Sequence, residues 1–191
     1  LRIISGKFRG RRLLSVPGLR TRPTSDRVRE NLFNILARHP VEANVLDLFA
    51  GTGALGIEAL SRGARSAVFV ENVPAALKIL HANVEALSLG GQTKILSWDI
   101  GRNLDCLLAF PRTFDLVFMD PPYRKEWIVP TLQALLQSGS LTEEALVVVE
   151  HAAAEPMPAS IAGLRRIDER RYGATRLTFL SPSDPTTSAG S

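Results

Sequence analysis

From Asn44 onward, short apolar runs alternate with stretches of near-helical period. Residues 45–48, 66–71, 93–97, 114–119 and 145–150 are rich in Val, Leu, Ile and Phe and predict buried strands. Between them, residues 54–62, 74–87 and 127–137 repeat apolar positions at helical spacing, and 104–110 reads as a shorter helix. Pro74 suits a first helical turn, and Gly63 and Gly90-Gly91 stand beyond helix ends. Strands separated by helices predict a parallel sheet covered on both faces. Residues 164–172 and 174–180 flank Gly173 and predict a closing antiparallel hairpin. The expected fold is α/β, a seven-stranded, mostly parallel sheet with helices on both faces.

Upstream, Val28, Leu32, Phe33, Ile35 and Leu36 recur near helical spacing, with Arg27, Glu30, Asn31, Asn34 and Arg38 mostly on the other side. Thr24, Ser25 or Asp26 can cap this helix, and Pro40 is expected to end it. Residues 1–5 and 12–16 read as two short strands around Gly6 and Gly10, with Pro17-Gly18 closing the unit. The chain thus divides into a β-hairpin appendage over 1–20, one domain over 21–180, and a flexible tail over 181–191 rich in Ser, Pro, Thr and Gly.

Composition adds three constraints. The net charge of +4 conceals an asymmetry. Residues 1–29 hold nine basic residues against Asp26 alone, a surplus of eight, so the remainder of the +4 chain is −4. A basic arm on a mildly acidic body points to a polyanion partner. Arg9, Arg11, Arg12, Arg22, Thr24 and Arg27 are the candidate contacts. No apolar run nears the ~20 residues that span a bilayer, and no apolar leader precedes a cleavage site. Cys106 is the one cysteine, so an internal disulfide is excluded and a reducing, cytoplasmic setting is expected. His39, His81 and His151 are scattered, which argues against a metal.

Candidate chemistry gathers at strand ends. Asp47 leads into Phe49-Ala50-Gly51-Thr52-Gly53, and the spacing Gly51-x-Gly53-x-x-Gly56 opens a helix. Such a loop brings backbone N–H groups close to a ligand. The spacing also fits a dinucleotide fingerprint. A carboxylate at position 47 repels a pyrophosphate but pairs with an ammonium group, and S-adenosyl-L-methionine offers that group and carries no phosphate. On this reading Asp47, Phe49, Gly51, Thr52 and Gly53 face the methionine end of the cofactor. Glu71 accepts the ribose hydroxyls, and Asn72 flanks the adenine or ribose. Asp99 accepts the adenine amine, with Trp98 or Ile100 lining the ring.

Asp120-Pro121-Pro122-Tyr123 ends a strand and is the candidate catalytic unit. An exocyclic amine on a base is a poor nucleophile, because its lone pair is delocalised into the ring. The Asp120 carboxylate and Pro121 carbonyl can accept its hydrogens and turn that lone pair outward. Proline fixes the backbone and has no N–H to compete. Tyr123 can stack on a base that has left its helix.

These motifs resemble the bacterial 16S ribosomal RNA guanine-N2 methyltransferases of the small-subunit methyltransferase D type. The likeness runs from Arg2 to about Leu180. It includes Arg2-Ile3-Ile4-x-Gly6, Leu60-Ser61-Arg62-Gly63-Ala64 and Tyr172-Gly173-x-Thr175-Arg176-Leu177. The run Arg22-Pro23-Thr24-x-Asp26-Arg27-Val28-Arg29-Glu30-x-Leu32-Phe33-Asn34 is the most specific part. Ser5 stands where the family often has glycine, and Asn72-Val73 where an acid is frequent nearby. The resemblance implies a Rossmann-like fold, S-adenosyl-L-methionine as donor, and methylation of a guanine amine in 16S rRNA of the 30S subunit or its assembly intermediate. It also implies a turn at Arg22–Thr24 near the cofactor and RNA entrance. The expected state is a monomer without metal or membrane. Methylation of DNA adenine N6 or of a protein glutamine amide stays open, as does a non-catalytic RNA-binding assembly factor.

Overall fold

The computed structural model describes residues 1–16, 26–108, 110, 113–122, 126–155, 157–158, 160–161 and 163–183. Helix α1 (Asp26–Leu36) precedes β1 (Asn44–Leu48), α2 (Ala54–Ser61), β2 (Ser66–Glu71), α3 (Pro74–Ala86) and β3 (Thr93–Ser97). Then come β4 (Phe114–Met119), α4 (Ile128–Gln137), β5 (Leu141–Ala152), β6 (Ser160–Ile161), β7 (Leu164–Tyr172) and β8 (Thr175–Pro182). They form one sheet in the order β3-β2-β1-β4-β5-β8-β7-β6. Strands β1 to β5 pair in parallel, and β8, β7 and β6 add antiparallel. The order reverses between β1 and β4, and the crevice at such a reversal is where open α/β sheets bind ligands.

Strand alternation sorts the core into two layers. Val45, Phe69, Leu116, Phe118, Val148 and Phe179 face α1, α2 and α3. Leu46, Leu48, Val117, Met119, Val147 and Val149 face α4 and the loops below it. Phe33 of α1 packs on Phe118, ring centroids 5.6 Å apart. Burying each such ring stabilises the fold by ~2–3 kcal/mol. Covered on both sides, β5 is continuously buried from Ala145 to Glu150, which explains its unbroken apolar run.

Five expectations are corrected. The sheet has eight strands, because the two-residue β6 adds an edge that its length hid from pattern reading. The N-terminal hairpin forms a single antiparallel bridge, Arg2 to Arg12, and not two strands. Its backbone is instead committed to α2: Lys7 N–H donates to Ser61 O at 2.7 Å and Phe8 N–H to Ser61 Oγ at 3.0 Å. Among the described residues of 104–110 there is a one-turn 3-10 helix at Asp105–Leu107 and no α-helix, since so short a segment cannot offset the cost of nucleating one. Helix α1 stops at Leu36, well before Pro40, where Ala37 turns left-handed at φ 48°. Strand β8 also runs to Pro182, beyond the expected start of the tail.

Candidate active site

The β1–α2 loop is built by an abrupt reversal of the backbone. Phe49, Gly51 and Gly53 all have positive φ, at 58°, 56° and 80°. Phe49 is not a glycine, and a left-handed phenylalanine stores strain of ~1–3 kcal/mol, a feature that clusters at functional sites. A Cβ on Gly56 would stand 2.4 Å from the Phe69 ring, so only glycine lets α2 press this closely on β2. That approach lets Gly56 N–H donate to Asp47 Oδ2 at 2.9 Å. By contrast, a Cβ on Gly51 would meet nothing nearer than its own loop's Phe49 carbonyl, 4.0 Å away. The loop therefore leaves open space beside its backbone.

Asp47 is buried, and burial is the main cause that pushes its carboxyl up to about 8; Glu71 adds to the shift and the Gly56 bond opposes it. Glu71, at the end of β2, clamps the loop to its neighbour. Its Oε2 accepts from Gly51 N–H at 2.7 Å, and its Oε1 from Asn72 and Val73 N–H at 2.8 and 2.9 Å. A carboxylate has about four acceptor positions, so these three bonds leave about one for a ribose hydroxyl rather than a pair. Asn72 is exposed beside it and Thr52 half-buried; the Thr52 carbonyl accepts from Asn83 Nδ2 at 3.0 Å.

Asp120 follows β4 directly, with Pro121 buried and Pro122 exposed. The register Met119↔Val149 sets Asp120 beside Glu150, two residues before the end of β5. Burial raises the Asp120 carboxyl well above the usual range, and the negative charges of Glu150 and Asp47 raise it further. Asp47 and Asp120 thus belong to one patch of negative potential at the strand-order reversal. Tyr123, Arg22 and Thr24 lie outside the described residues.

The third loop is more open. Asp99 keeps 42% of its side chain exposed, accepts from Gly101 N–H at 3.1 Å and lies 3.5 Å from the Arg102 guanidinium. Trp98 is a third exposed and donates from Nε1 to the Asn103 carbonyl, while Ile100 is buried. Of the basic candidates, Arg9, Arg11, Arg12 and Arg27 are all exposed. Arg11 reaches the Ala86 carbonyl at the end of α3, and the hairpin turn rests on the end of α2. Both helices begin at the acid-lined edge of the sheet and end at the opposite one. The turn of the arm therefore stands away from the acids.

Comparison with known proteins agrees with this geometry. The family model "Conserved hypothetical protein 95" matches residues 1–181. The Escherichia coli protein named ribosomal RNA small subunit methyltransferase D is 43% identical over 161 residues, covering 83% of this chain and 78% of that one. The Haemophilus influenzae protein of the same name is 35% identical over 161 residues, covering 82% and 81%. The chain belongs to the ribosomal RNA small subunit methyltransferase D family. The solved structure of YhhF from Escherichia coli superposes with a TM-score of 0.81 at 38% identity, over 95% of this chain and 97% of that one.

Three features of this family member escape a sequence reading. Glu150 closes an apolar run and reads as a strand end, yet it is buried beside Asp120. Trp127 packs edge-on against Phe49, with centroids 5.7 Å apart at 82°, and so closes the floor of the loop. Asn83 of α3 is buried, and its amide joins the Leu14 and Thr52 carbonyls, tying the N-terminal segment to the glycine loop. Only Glu150 carried a usable signal, an acid at the end of a strand.

Proposed function

We propose that the protein methylates the exocyclic N2 amine of a guanine in 16S rRNA, using S-adenosyl-L-methionine, on the 30S subunit or its assembly intermediate in the cytoplasm. The observation that carries this reading is the pair Asp47 and Asp120. Both are drawn toward the protonated form at a strand-order reversal, and no ion pair reaches either among the described residues. Such a site favours a cationic ligand without phosphates. The open backbone at Gly51 fits the same group.

When bound, S-adenosyl-L-methionine supplies a methyl carbon activated by a positive sulfonium. Asp47 and the backbone of Phe49, Gly51, Thr52 and Gly53 hold its methionine end. Glu71 and Asn72 take the ribose, and Trp98, Asp99 and Ile100 the adenine. The Asp120 carboxylate and Pro121 carbonyl accept the N2 hydrogens and aim the nitrogen lone pair. On taking the methyl group that the cofactor would supply, N2 would shed a proton, and Asp120, with its raised proton affinity, would receive it. Tyr123 stacks on the extruded base, and Pro122 stiffens the turn. Orientation supplies most of the rate enhancement.

The test is incubation with labelled cofactor and naked 16S rRNA, 30S particles or DNA, followed by mapping of the modified base. Label at a guanine N2 in 16S rRNA, lost in Asp120→Ala, is the expected result. Label in DNA or a protein amide alone contradicts the substrate. Cofactor binding without transfer to any substrate marks a non-catalytic assembly factor.

A further inference from the structure

Among the described residues, the far hairpin carries basic side chains to the acid-lined edge of the sheet, where Arg102 also lies beside Asp99, while the turn of the N-terminal arm stands away from it. Strands β7 and β8 carry Arg165, Arg166, Arg170, Arg171 and Arg176 against Asp168 and Glu169, a surplus of three positive charges. This surplus sits in a portion of the chain, after residue 29, whose total is −4.

The register fixes where these charges lie. Met119, Val149, Thr178 and Glu169 form one row across β4, β5, β8 and β7. The next row holds Asp120, Glu150, Leu177 and Arg170; the one beyond it holds His151, Arg176 and Arg171. Tyr172, opposite Thr175, comes last, before the turn at Gly173. The hairpin tip therefore projects past the edge where Asp120 lies. Arg170 is three strand spacings from Asp120, roughly 15 Å. Arg165 and Arg166 sit at the start of β7, toward the opposite edge.

The guanidinium groups at the tip are only partly occupied. Arg171 is exposed and has no carboxylate partner among the described residues; its Nε donates to the Gly173 carbonyl at 3.0 Å, which braces the side chain within the turn. Arg176 reaches Glu169 at 3.2 Å, but its buried Nε has no hydrogen-bond partner. Arg170 pairs with Asp168 at 3.0 Å with 56% of its side chain exposed.

We propose that the tip of the β7–β8 hairpin, through Arg170, Arg171 and Arg176, is a second RNA-contacting surface that grips phosphates flanking the target nucleotide. This rests on the reading that the substrate is an rRNA. Phosphate is the matching chemistry, because a guanidinium fork binds its oxygens bidentately and a polyanion supplies several within the span to Asp120. The contact positions the strand and reads no base.

The experiment compares R170A/R171A with R165A/R166A, which removes the same charge from the other end of the same strand. Each is assayed as the full chain with 30S particles, with RNA affinity followed against salt. R170A/R171A is expected to raise KM for the RNA about tenfold with kcat nearly unchanged. It should also flatten the salt slope by about 1.4–1.8, the release expected from two phosphates. Cofactor affinity and R165A/R166A should match the parent chain. R171E alone, at an exposed site, gives the same direction should the double variant fold poorly, and R170K/R171K restores most of the affinity. Wild-type turnover on 30S particles with R170A/R171A and R171E both unaltered overturns the assignment, as does an equal loss in R165A/R166A. Absence of rRNA turnover in the unmodified protein overturns the underlying reading, and this one with it.

Discussion

Two clusters of buried charge lie on the same face of the sheet, and they are built in opposite ways. Around Glu58 each charge faces one of opposite sign, although Arg29 Nε and Nη1 are buried without a hydrogen bond. Its carboxylate accepts from the Ile4 and Ser5 N–H groups at 2.8 and 3.0 Å and from Arg62 Nε at 2.8 Å, with Arg29 Nε 3.9 Å away. Arg29, itself 1% exposed, also donates to Asp26 and to the Arg2 carbonyl. That cluster staples the N-terminal segment, α1 and α2 together. Around Asp47 and Asp120 the charges that act on them among the described residues, Glu71 and Glu150, are of like sign, and the carboxyls respond by holding protons. Compensated buried charge specifies architecture here, and uncompensated buried charge marks the place kept for a ligand.

Breaking the compensated cluster should do the greatest harm. Glu58→Ala leaves the Arg29 guanidinium buried beside an exposed partner, and is expected to cost ~3–5 kcal/mol in chemical denaturation. The double variant Arg29→Met/Glu58→Met should cost much less, because it removes both charges together. On the other side, Asp120→Asn should fold as the parent does yet lose roughly a hundredfold or more in kcat, about 3 kcal/mol, in a single-turnover transfer assay. Equal losses of stability in Asp120→Asn and Glu58→Ala would erase the distinction. Gly56→Ala lies between the two effects. Its methyl meets the Phe69 ring and Asp47 Oδ2, so a loss of ~1–3 kcal/mol in thermal stability is expected, with weaker cofactor binding.

A further contrast concerns pH. With its folded pKa raised to about 8, Asp47 holds a proton in the native state that the unfolded chain releases near pH 4. Its contribution to stability is therefore complete below about pH 4 and is lost as pH rises to about 8. Asp47→Asn should flatten that part of the ligand-free stability profile and weaken cofactor binding. An unchanged profile would show that Asp47 ionises freely in the fold.

The alternation of strands and helices and the acid–glycine loop were legible in the sequence because they depend on local period and spacing. The staple was not. Arg29 and Glu58 each occupy a helix position that a single-helix reading assigns to solvent, and their burial follows from the hairpin folding over α2. Gly6 shows the same dependence: its backbone presses on Ser61 so closely that no Cβ fits, yet nothing near it in sequence announces that contact. Asp99 and Trp98 read as equals of Asp47, but their strand end is open to solvent, and the surroundings of an acid decide its chemistry.

The central claim is that the buried acids at the β1–β4 reversal are kept protonated until a cation arrives. Calorimetry of S-adenosyl-L-methionine binding in buffers of differing ionisation enthalpy, between pH 6 and 9, measures this directly. The account predicts net proton release at neutral pH, affinity that tightens as pH rises toward 8, and loss of most of the release in Asp47→Asn. Binding with no proton release and no dependence on pH would contradict it.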